Sequence, residues 1–512
     1  MSLRESPLVA VERRLMAAVA RHAAGRGAVV VNRPVLPNTL HGRSFPLFAV
    51  RTGPRGRTPV LFVPGGPGLA SVIPYLTLRR AASRQGLDVI MVEHRGVGLS
   101  RRDDTGHDLP VAAITVEAAA DDLAAVLQAC AVPQAVVYGS SYGSYLAQVF
   151  AARHPDQVAS LVLDSPLLSA KDDLADVRAY RRRLLWGWGD ETLMKDAGHQ
   201  DVAGTREGAG HGERPDRVRP GDGGDPGPTR PTLSTASAPS APPALPTAVR
   251  NAAAAGVPMP QLSRVVEVVY EFAGPDALLR LLRAAHPARS AAVATQPVAA
   301  AQPPQAGRPR GAVRARLVFR LIARSGRLEG AGTPHIMEPD LVSGIAFATL
   351  GFGLPPDGAP LDPQLHLADL APRRPGFTGD PIDLSEHLTH FTKPLVVITG
   401  ERDLRTPRPV AERIVALAPH AVLVPIADLG HSALDSHYLA AIHIARALAD
   451  GRADDLRPPR THRTSAQGNP SAPSPLLVLA ALPRRGPAAL LRPLLRTATW
   501  GVSRERTQPR HQ

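Results

Sequence analysis

Gly139-Ser140-Ser141-Tyr142-Gly143 matches the pattern G-x-S-x-G. A serine hydroxyl is a poor nucleophile near neutral pH, so it needs a base to take its proton and an acid to orient that base. The apolar run Ala135–Tyr138 precedes the pentapeptide and a helical pattern over 144–153 follows it. Strand, tight turn and helix is the setting that lifts a serine Oγ clear of a sheet edge, and small residues permit the turn. The rival reading is a plain glycine turn. In this arrangement the acid and then the base come later in the chain. Asp403, in Gly400-Glu401-Arg402-Asp403, lies just past the run Leu395–Ile398, and His431, in Leu429-Gly430-His431-Ser432, lies just past Val422–Pro425. Their spacing accommodates one helix and one strand, which places both side chains at the sheet edge beside Ser141. Asp428 and Glu401 are rival acids, but Asp428 is too near His431 in the chain to reach it from a separate strand end.

A second glycine-rich stretch, Pro64-Gly65-Gly66-Pro67-Gly68, follows the run Val60–Val63. Acyl transfer needs backbone N–H groups aimed at the developing oxyanion, and glycines let the backbone come close without a Cβ. The expected donors are the N–H of Tyr142 and one from Gly65 or Gly66; Pro67 has none to give and stiffens the loop. The rival reading is an ordinary loop.

The elements around these residues alternate. Phe45–Val50, Val60–Val63, Val89–Val92, Ala135–Tyr138 and Leu161–Leu163 read as strands, with amphipathic stretches such as Thr115–Cys130 and Tyr145–Arg153 between them. The pattern resumes with strand Leu395–Ile398, helix Pro409–Leu417, strand Val422–Pro425 and helix Tyr438–Leu448. Strand and helix in alternation predict an α/β fold with a mostly parallel central sheet. Val177–Trp188 reads as helical and Arg-rich. Residues 195–250 are rich in Pro and Gly and poor in branched apolar side chains, too little to offset the entropy of ordering, so disorder is expected there. Leu262, Val265, Val266, Val269 and Phe272 follow helical spacing within a stretch over 261–285. Residues 286–312 read as an Ala/Pro/Gln-rich linker and 336–353 as ordered. The basic tail after about 453 is expected to be disordered. The composition of 192–248 and 455–512 also fits GC-rich DNA translated out of frame.

The net charge of +14 does not point to nucleic acid. Residues 451–512 hold eleven Arg against Asp454, Asp455 and Glu505, and residues 301–330 hold seven Arg against Glu329, which accounts for the whole excess. The body is neutral, so a solvated basic tail is the reading and nucleic-acid binding is not expected. With one cysteine, Cys130, neither an internal disulfide nor a Cys-based zinc cage is possible. No metal or cofactor is expected. No apolar run is long enough to span a membrane, and Arg4, Glu5, Glu12, Arg13, Arg14 and Arg21 interrupt any leader-like apolar region, so a cytoplasmic protein is expected.

Five motifs together resemble a known family: PGGPG at 64–68, EHRGVGLS at 93–100, GSSYGSYLA at 139–147, GERDLRTP at 400–407 and GHS at 430–432. They are similar to those of the α/β-hydrolase aminopeptidases of the proline iminopeptidase and tripeptidyl aminopeptidase type, over about 45–190 and 336–450. The resemblance implies an α/β-hydrolase fold with helices on both faces of the sheet and an inserted helical cap. It divides the chain into a first core part over 1–170, a cap over 171–380, a second core part over 381–452 and the tail over 453–512. It assigns the nucleophile to Ser141, the acid to Asp403 and the base to His431. Pro64 stands where proline iminopeptidases usually have His, which leans toward the tripeptidyl type. The turn Arg95-Gly96 reads as structural support.

In such exopeptidases acidic cap side chains bind the free ammonium of the substrate. Asp190, Glu191, Glu267, Glu271 and Glu338 are candidates, with Glu267 and Glu271 foremost because they lie four apart, opposite the apolar stripe of their helix. The alternative for that pair is a solvated helix face. Asp172 and Asp176 share the spacing at the junction of cap and core, and Trp186 and Trp188 either line a pocket or pack. The function these readings imply is a serine aminopeptidase acting on short peptides or aminoacyl amides. A carboxylesterase of small acyl esters and a catalytically impaired protein of the same fold are the alternatives.

Overall fold

The structure is a computed structural model that describes residues 7–36, 42–189, 242–286, 310–323, 332–368 and 370–456. Eight strands form one sheet: β1 (Ala28–Pro34), β2 (Ser44–Thr52), β3 (Val60–Val63), β4 (Val89–Val92), β5 (Ala135–Ser140), β6 (Val158–Asp164), β7 (Leu395–Gly400) and β8 (Ala421–Ile426). Their order is β1-β2-β4-β3-β5-β6-β7-β8. The strands from β3 to β8 run parallel, while β2 is antiparallel to both β1 and β4.

The apolar runs are unbroken because both faces of the parallel strands are covered, and side chains alternate between two cores. Leu61, Val63, Val137, Leu161, Leu163, Leu395 and Val397 face one side. There they meet helices α3 (Val116–Ala129) and α4 (Tyr142–Arg153), through Leu123, Leu146 and Phe150. Val60, Phe62, Val136, Tyr138, Val162, Val396 and Ile398 face the other. Its cover includes Ala20 of α1 (Pro7–Ala24), Leu78 and Ala82 of α2 (Leu76–Arg84), and Ile442 and Ala445 of the last helix, Tyr438–Ala449. Thr115 caps α3 by accepting from Ala118 N at 3.2 Å.

A third apolar cluster lies in the long segment between β6 and β7. It joins α5 (Ala170–Arg181), α6 (Ala244–Ala254), α7 (Met259–Ala273), α8 (Pro275–Ala285) and α9 (Arg310–Ala323) through Tyr180, Leu245, Val249, Leu262, Val265, Tyr270, Leu278, Leu282 and Phe319. Leu404, one residue past Asp403, is buried in the same cluster, so these helices press on the loop after β7.

Several expectations change. Helix α6 begins inside the stretch expected to be disordered. Leu245, Ala248, Val249 and Ala252 form a short buried stripe at i, i+3, i+4 and i+7, which the Pro and Gly of the preceding residues masked in a composition average. The stretch over 261–285 is two helices, because Gly274 adopts φ +83° and Pro275 starts a new helix. Helix α9 starts within the stretch read as a linker. Helix α1 and strand β1 were not anticipated. Residues 190–241, 287–309 and 457–512 lie outside the described residues. Among the described residues no helix is long and apolar enough to cross a membrane.

Candidate active site

Ser141 sits between β5 and α4 with φ +54° and ψ −124°, a strained backbone for a residue with a Cβ. Packing explains both flanking glycines. A Cβ at Gly139 would lie 2.2 Å from Gly143 O, and a Cβ at Gly143 would lie 2.0 Å from Val63 O. The turn is tied down by Ser141 N donating to Asp164 O at 2.9 Å and by Ser144 Oγ donating to Ser141 O at 2.6 Å.

The three residues singled out in the sequence meet. His431 Nε2 is 2.7 Å from Ser141 Oγ, and His431 Nδ1 is 3.0 Å from Asp403 Oδ2 and 3.2 Å from Oδ1. Asp403 is fully buried and also accepts from Arg405 N and Thr406 N, each at 2.9 Å, and from Thr406 Oγ1 at 2.8 Å. Burial alone would push the Asp403 carboxyl up, but the His431 imidazole and these donors hold it below the ordinary aspartate value. Burial alone would push His431 down, yet Asp403 raises it above the ordinary histidine value. Such an arrangement can draw the proton from Ser141 Oγ to Nε2 while Asp403 holds the ring. The rival acids do not take part: Asp428 is exposed and paired with Arg402, and Glu401 is only half-buried.

On the other flank of Ser141, a Cβ at Gly65 would lie 3.0 Å from Ser141 Cβ and 3.6 Å from Oγ. A side chain there would crowd Ser141, which is a reason for glycine. Gly66 has φ +125°, and Tyr142 is the first residue of α4. Backbone N–H groups of Gly65, Gly66 and Tyr142 thus come from the two segments that border Ser141.

Residues 58–202 match the family model described as the alpha/beta hydrolase fold. The chain has an α/β-hydrolase fold. Over 145 residues it is 29% identical to a protein of Mycoplasma pneumoniae named as a proline iminopeptidase, a match covering 28% of this chain and 43% of that one. Over 133 residues it is 28% identical to a proline iminopeptidase of Arabidopsis thaliana, covering 25% and 32%. The matches thus span less than half the length of either relative. Among solved structures, it is similar to the proline iminopeptidase of Mycobacterium smegmatis at 14% identity and a TM-score of 0.39, covering 83% of this chain and 99% of that one. It is similar to the esterase RhEst1 of a Rhodococcus species at 13% identity and 0.39, covering 82% and 98%.

The two carboxylates of α7 are not on a solvated face. Glu267 and Glu271 are 5% and 3% exposed. Glu271 accepts from Arg405 Nη2 at 2.8 Å and from Leu404 N at 3.2 Å. Glu267 pairs with Arg181 at 3.2 Å, with Arg264 at 3.2 Å and with Arg405 at 3.6 Å. Helix phase placed both off the apolar stripe correctly, but the partners that make burial tolerable are arginines distant in sequence. Burial pushes Glu271 up to about 7 against the pull of the Arg405 guanidinium. Glu271 also packs against the residue before His431: a Cβ at Gly430 would lie 2.9 Å from Glu271 Cβ.

The remaining candidates scatter. Glu338 is wholly buried, paired with Arg13 and bonded to Gly98 N. Asp190 and Glu191 lie outside the described residues. Asp172 and Asp176 pair with Arg413. Trp186 packs partly buried in the helical cluster, and Arg182 lies 5.6 Å over the Trp188 ring. Arg95 is structural, as expected: it holds Asp122 through two bonds of 2.7 and 2.8 Å and donates to Ala113 O.

Sequence reasoning missed Asp164, the last residue of β6. Its Oδ1 accepts from Ala433 N at 2.9 Å and its Oδ2 from Leu434 N at 2.8 Å and Tyr138 OH at 3.0 Å. Beside it, Ser165 Oγ accepts from Ser432 N at 2.9 Å, and Ser140 Oγ donates to Ser432 Oγ at 2.8 Å. The loop that carries His431 is therefore anchored to the ends of β5 and β6. The available signal was a carboxylate at the end of an otherwise apolar strand, Val162-Leu163-Asp164.

Proposed function

We propose that the chain is a serine hydrolase in which Ser141 attacks a carbonyl carbon, His431 takes the Ser141 proton, and Asp403 holds and stabilises the imidazolium. N–H groups of Tyr142 and of Gly65 or Gly66 bind the oxyanion. His431 then returns the proton to the leaving group, and water releases the acyl group from Ser141 by the same route. The observation that carries this reading is the continuous contact from Ser141 Oγ to His431 Nε2 at 2.7 Å and from His431 Nδ1 to Asp403 at 3.0 Å.

The substrate class we propose is a short peptide or aminoacyl amide with a free N-terminus. The motif resemblance supports it, as do the two curated relatives named as proline iminopeptidases. Glu267 and Glu271 are the proposed ammonium partners, with Arg405, the partly exposed member of the cluster, sharing them. A second reading, an esterase of neutral acyl groups, is favoured by the same cluster, because three guanidinium groups already face the two carboxylates. A panel of aminoacyl, dipeptidyl and tripeptidyl amides beside N-acetylated amides and simple esters tests both. Turnover of free-amine amides at higher kcat/KM than their N-acetylated counterparts supports the aminopeptidase. Turnover of esters alone supports the esterase. No fluorophosphonate labelling of Ser141 would sink the hydrolase reading.

A further inference from the structure

The glycine-rich loop after β3 has almost no side chains of its own with which to hold its shape. Glycine leaves many conformations open, whereas oxyanion donors act only when fixed in advance. What fixes this loop is the segment 332–338, far away in sequence. Glu338 N donates to Gly68 O at 2.8 Å, and Ala70 N donates to Ile336 O at 3.0 Å. A Cβ at Gly68 would lie 2.9 Å from Glu338 O.

The Glu338 side chain locks that segment in turn. It is wholly buried and accepts from Gly98 N at 2.6 Å and from His335 N at 3.2 Å. It pairs with Arg13 of α1 and lies 3.6 Å from Arg101. The His335 backbone adopts φ +59°, a conformation that surrounding contacts must enforce. Next to Glu338, the buried Glu93 accepts from Val72 N at 3.1 Å, at the far end of the same loop. A buried carboxylate with partners from several chain segments holds those segments in one arrangement, because loss of any partner leaves a charge uncompensated.

We propose that Glu338 is a positioning residue for the 64–72 loop. It ties α1, the loop after β4 and the 332–338 segment into a clamp that keeps Gly65 and Gly66 beside Ser141. The kinetic consequence rests on the serine hydrolase reading; the clamp itself does not.

The test is Glu338→Gln, which keeps size and removes charge. Amide hydrogen exchange across 65–72 is expected to speed up by about tenfold or more while that of 135–164 stays unchanged. With esters or amides, kcat is expected to fall by about tenfold or more and KM to stay within about threefold, the split expected when an interaction made mainly in the transition state is lost. Unchanged exchange over 65–72 overturns the clamp. Faster exchange with unchanged kcat overturns its bearing on catalysis. If Glu338→Gln does not fold, Gly68→Ala disturbs the same contact from the loop side and is judged by the same readouts. Exchange is read without turnover, so an inactive wild-type protein would sink the hydrolase reading and leave the clamp to be judged by exchange alone.

Discussion

Glu271 Oε2 accepts from Arg405 Nη2 at 2.8 Å, so this ion pair, with Glu267 at 3.6 Å from the same Arg405, joins helix α7 to the loop that carries Asp403. Glu271→Gln therefore strikes two things. It loosens the Leu404–Arg405 stretch, so kcat should fall for every substrate. It also removes a proposed ammonium partner, so KM for free-amine aminoacyl amides should rise about tenfold while KM for N-acetylated substrates changes little. Equal KM changes for both would remove the ammonium role and leave Glu271 as a loop tie. The pH profile gives an independent reading. Glu271 raises His431 and Arg405 lowers it, so Glu271→Gln should lower the His431 pKa. The acidic limb of kcat/KM then moves to lower pH, because the base must be unprotonated.

Ser141→Ala should reduce hydrolysis of all substrates by about 10⁴-fold or more and leave the thermal midpoint nearly unchanged. Residual activity above about a tenth of wild type would reject Ser141 as nucleophile.

Asp164→Asn tests the anchoring of the histidine loop. An amide has one acceptor oxygen where the carboxylate offers two, so one of Ala433 N and Leu434 N loses its partner. A stability loss of about 1–3 kcal/mol is expected from that buried donor. A fall in kcat at nearly constant KM should accompany it. Wild-type kinetics in the variant would show that His431 keeps its place without this anchor.

Glu93 should make the fold pH-sensitive. It is fully buried, and burial lifts its pKa to about 8, with the nearby Glu338 adding to the rise and Arg79 of α2 lying close enough to feel its charge. Its folded pKa lies above its unfolded value. Its contribution is therefore complete below about pH 4.5 and is lost as pH rises toward 8. Over that window it should erode stability by roughly 1 kcal/mol per pH unit. Glu93→Gln cannot ionise, so its stability relative to wild type should improve steadily from pH 5 to 8 in denaturant titrations. Parallel pH dependence in the two proteins would contradict this.

Leu245→Ala should destabilise the protein by about 2–5 kcal/mol, because Leu245 is fully buried among the helices between β6 and β7. A deletion that runs to residue 250 should cost at least as much, since it also removes the fully buried Val249. A change under about 0.5 kcal/mol in Leu245→Ala would mean this helix packs elsewhere.

The parallel strands could be read from the sequence because both faces are buried, leaving short apolar runs ended by proline, glycine or a polar residue, as in Val60–Val63, which runs into Pro64-Gly65. Ser141, Asp403 and His431 could be read because each follows such a run. The pairs that hold them could not. Glu338 finds Gly98 across 240 residues and Asp164 finds Ala433 across 269. Helical phase showed that Glu267 and Glu271 share a face, but nothing local to them indicates Arg181 or Arg405. Strand β1 stayed hidden because it is an edge strand whose positions alternate between exposed and half-buried, while its residues Val29-Val30-Val31-Asn32-Arg33 show no matching alternation of apolar and polar side chains.

Arg13 and Glu338 are 325 residues apart. A ribosome adding about 5–20 residues per second needs roughly 16–65 s to cover that distance. The first helix is thus synthesised long before the carboxylate that receives it, and the nascent chain must keep a guanidinium destined for burial in water until then. The 290 residues between Ser141 and His431 impose a similar delay. A translation product that stops short of His431 carries the strained serine turn without the imidazole that contacts Ser141 Oγ.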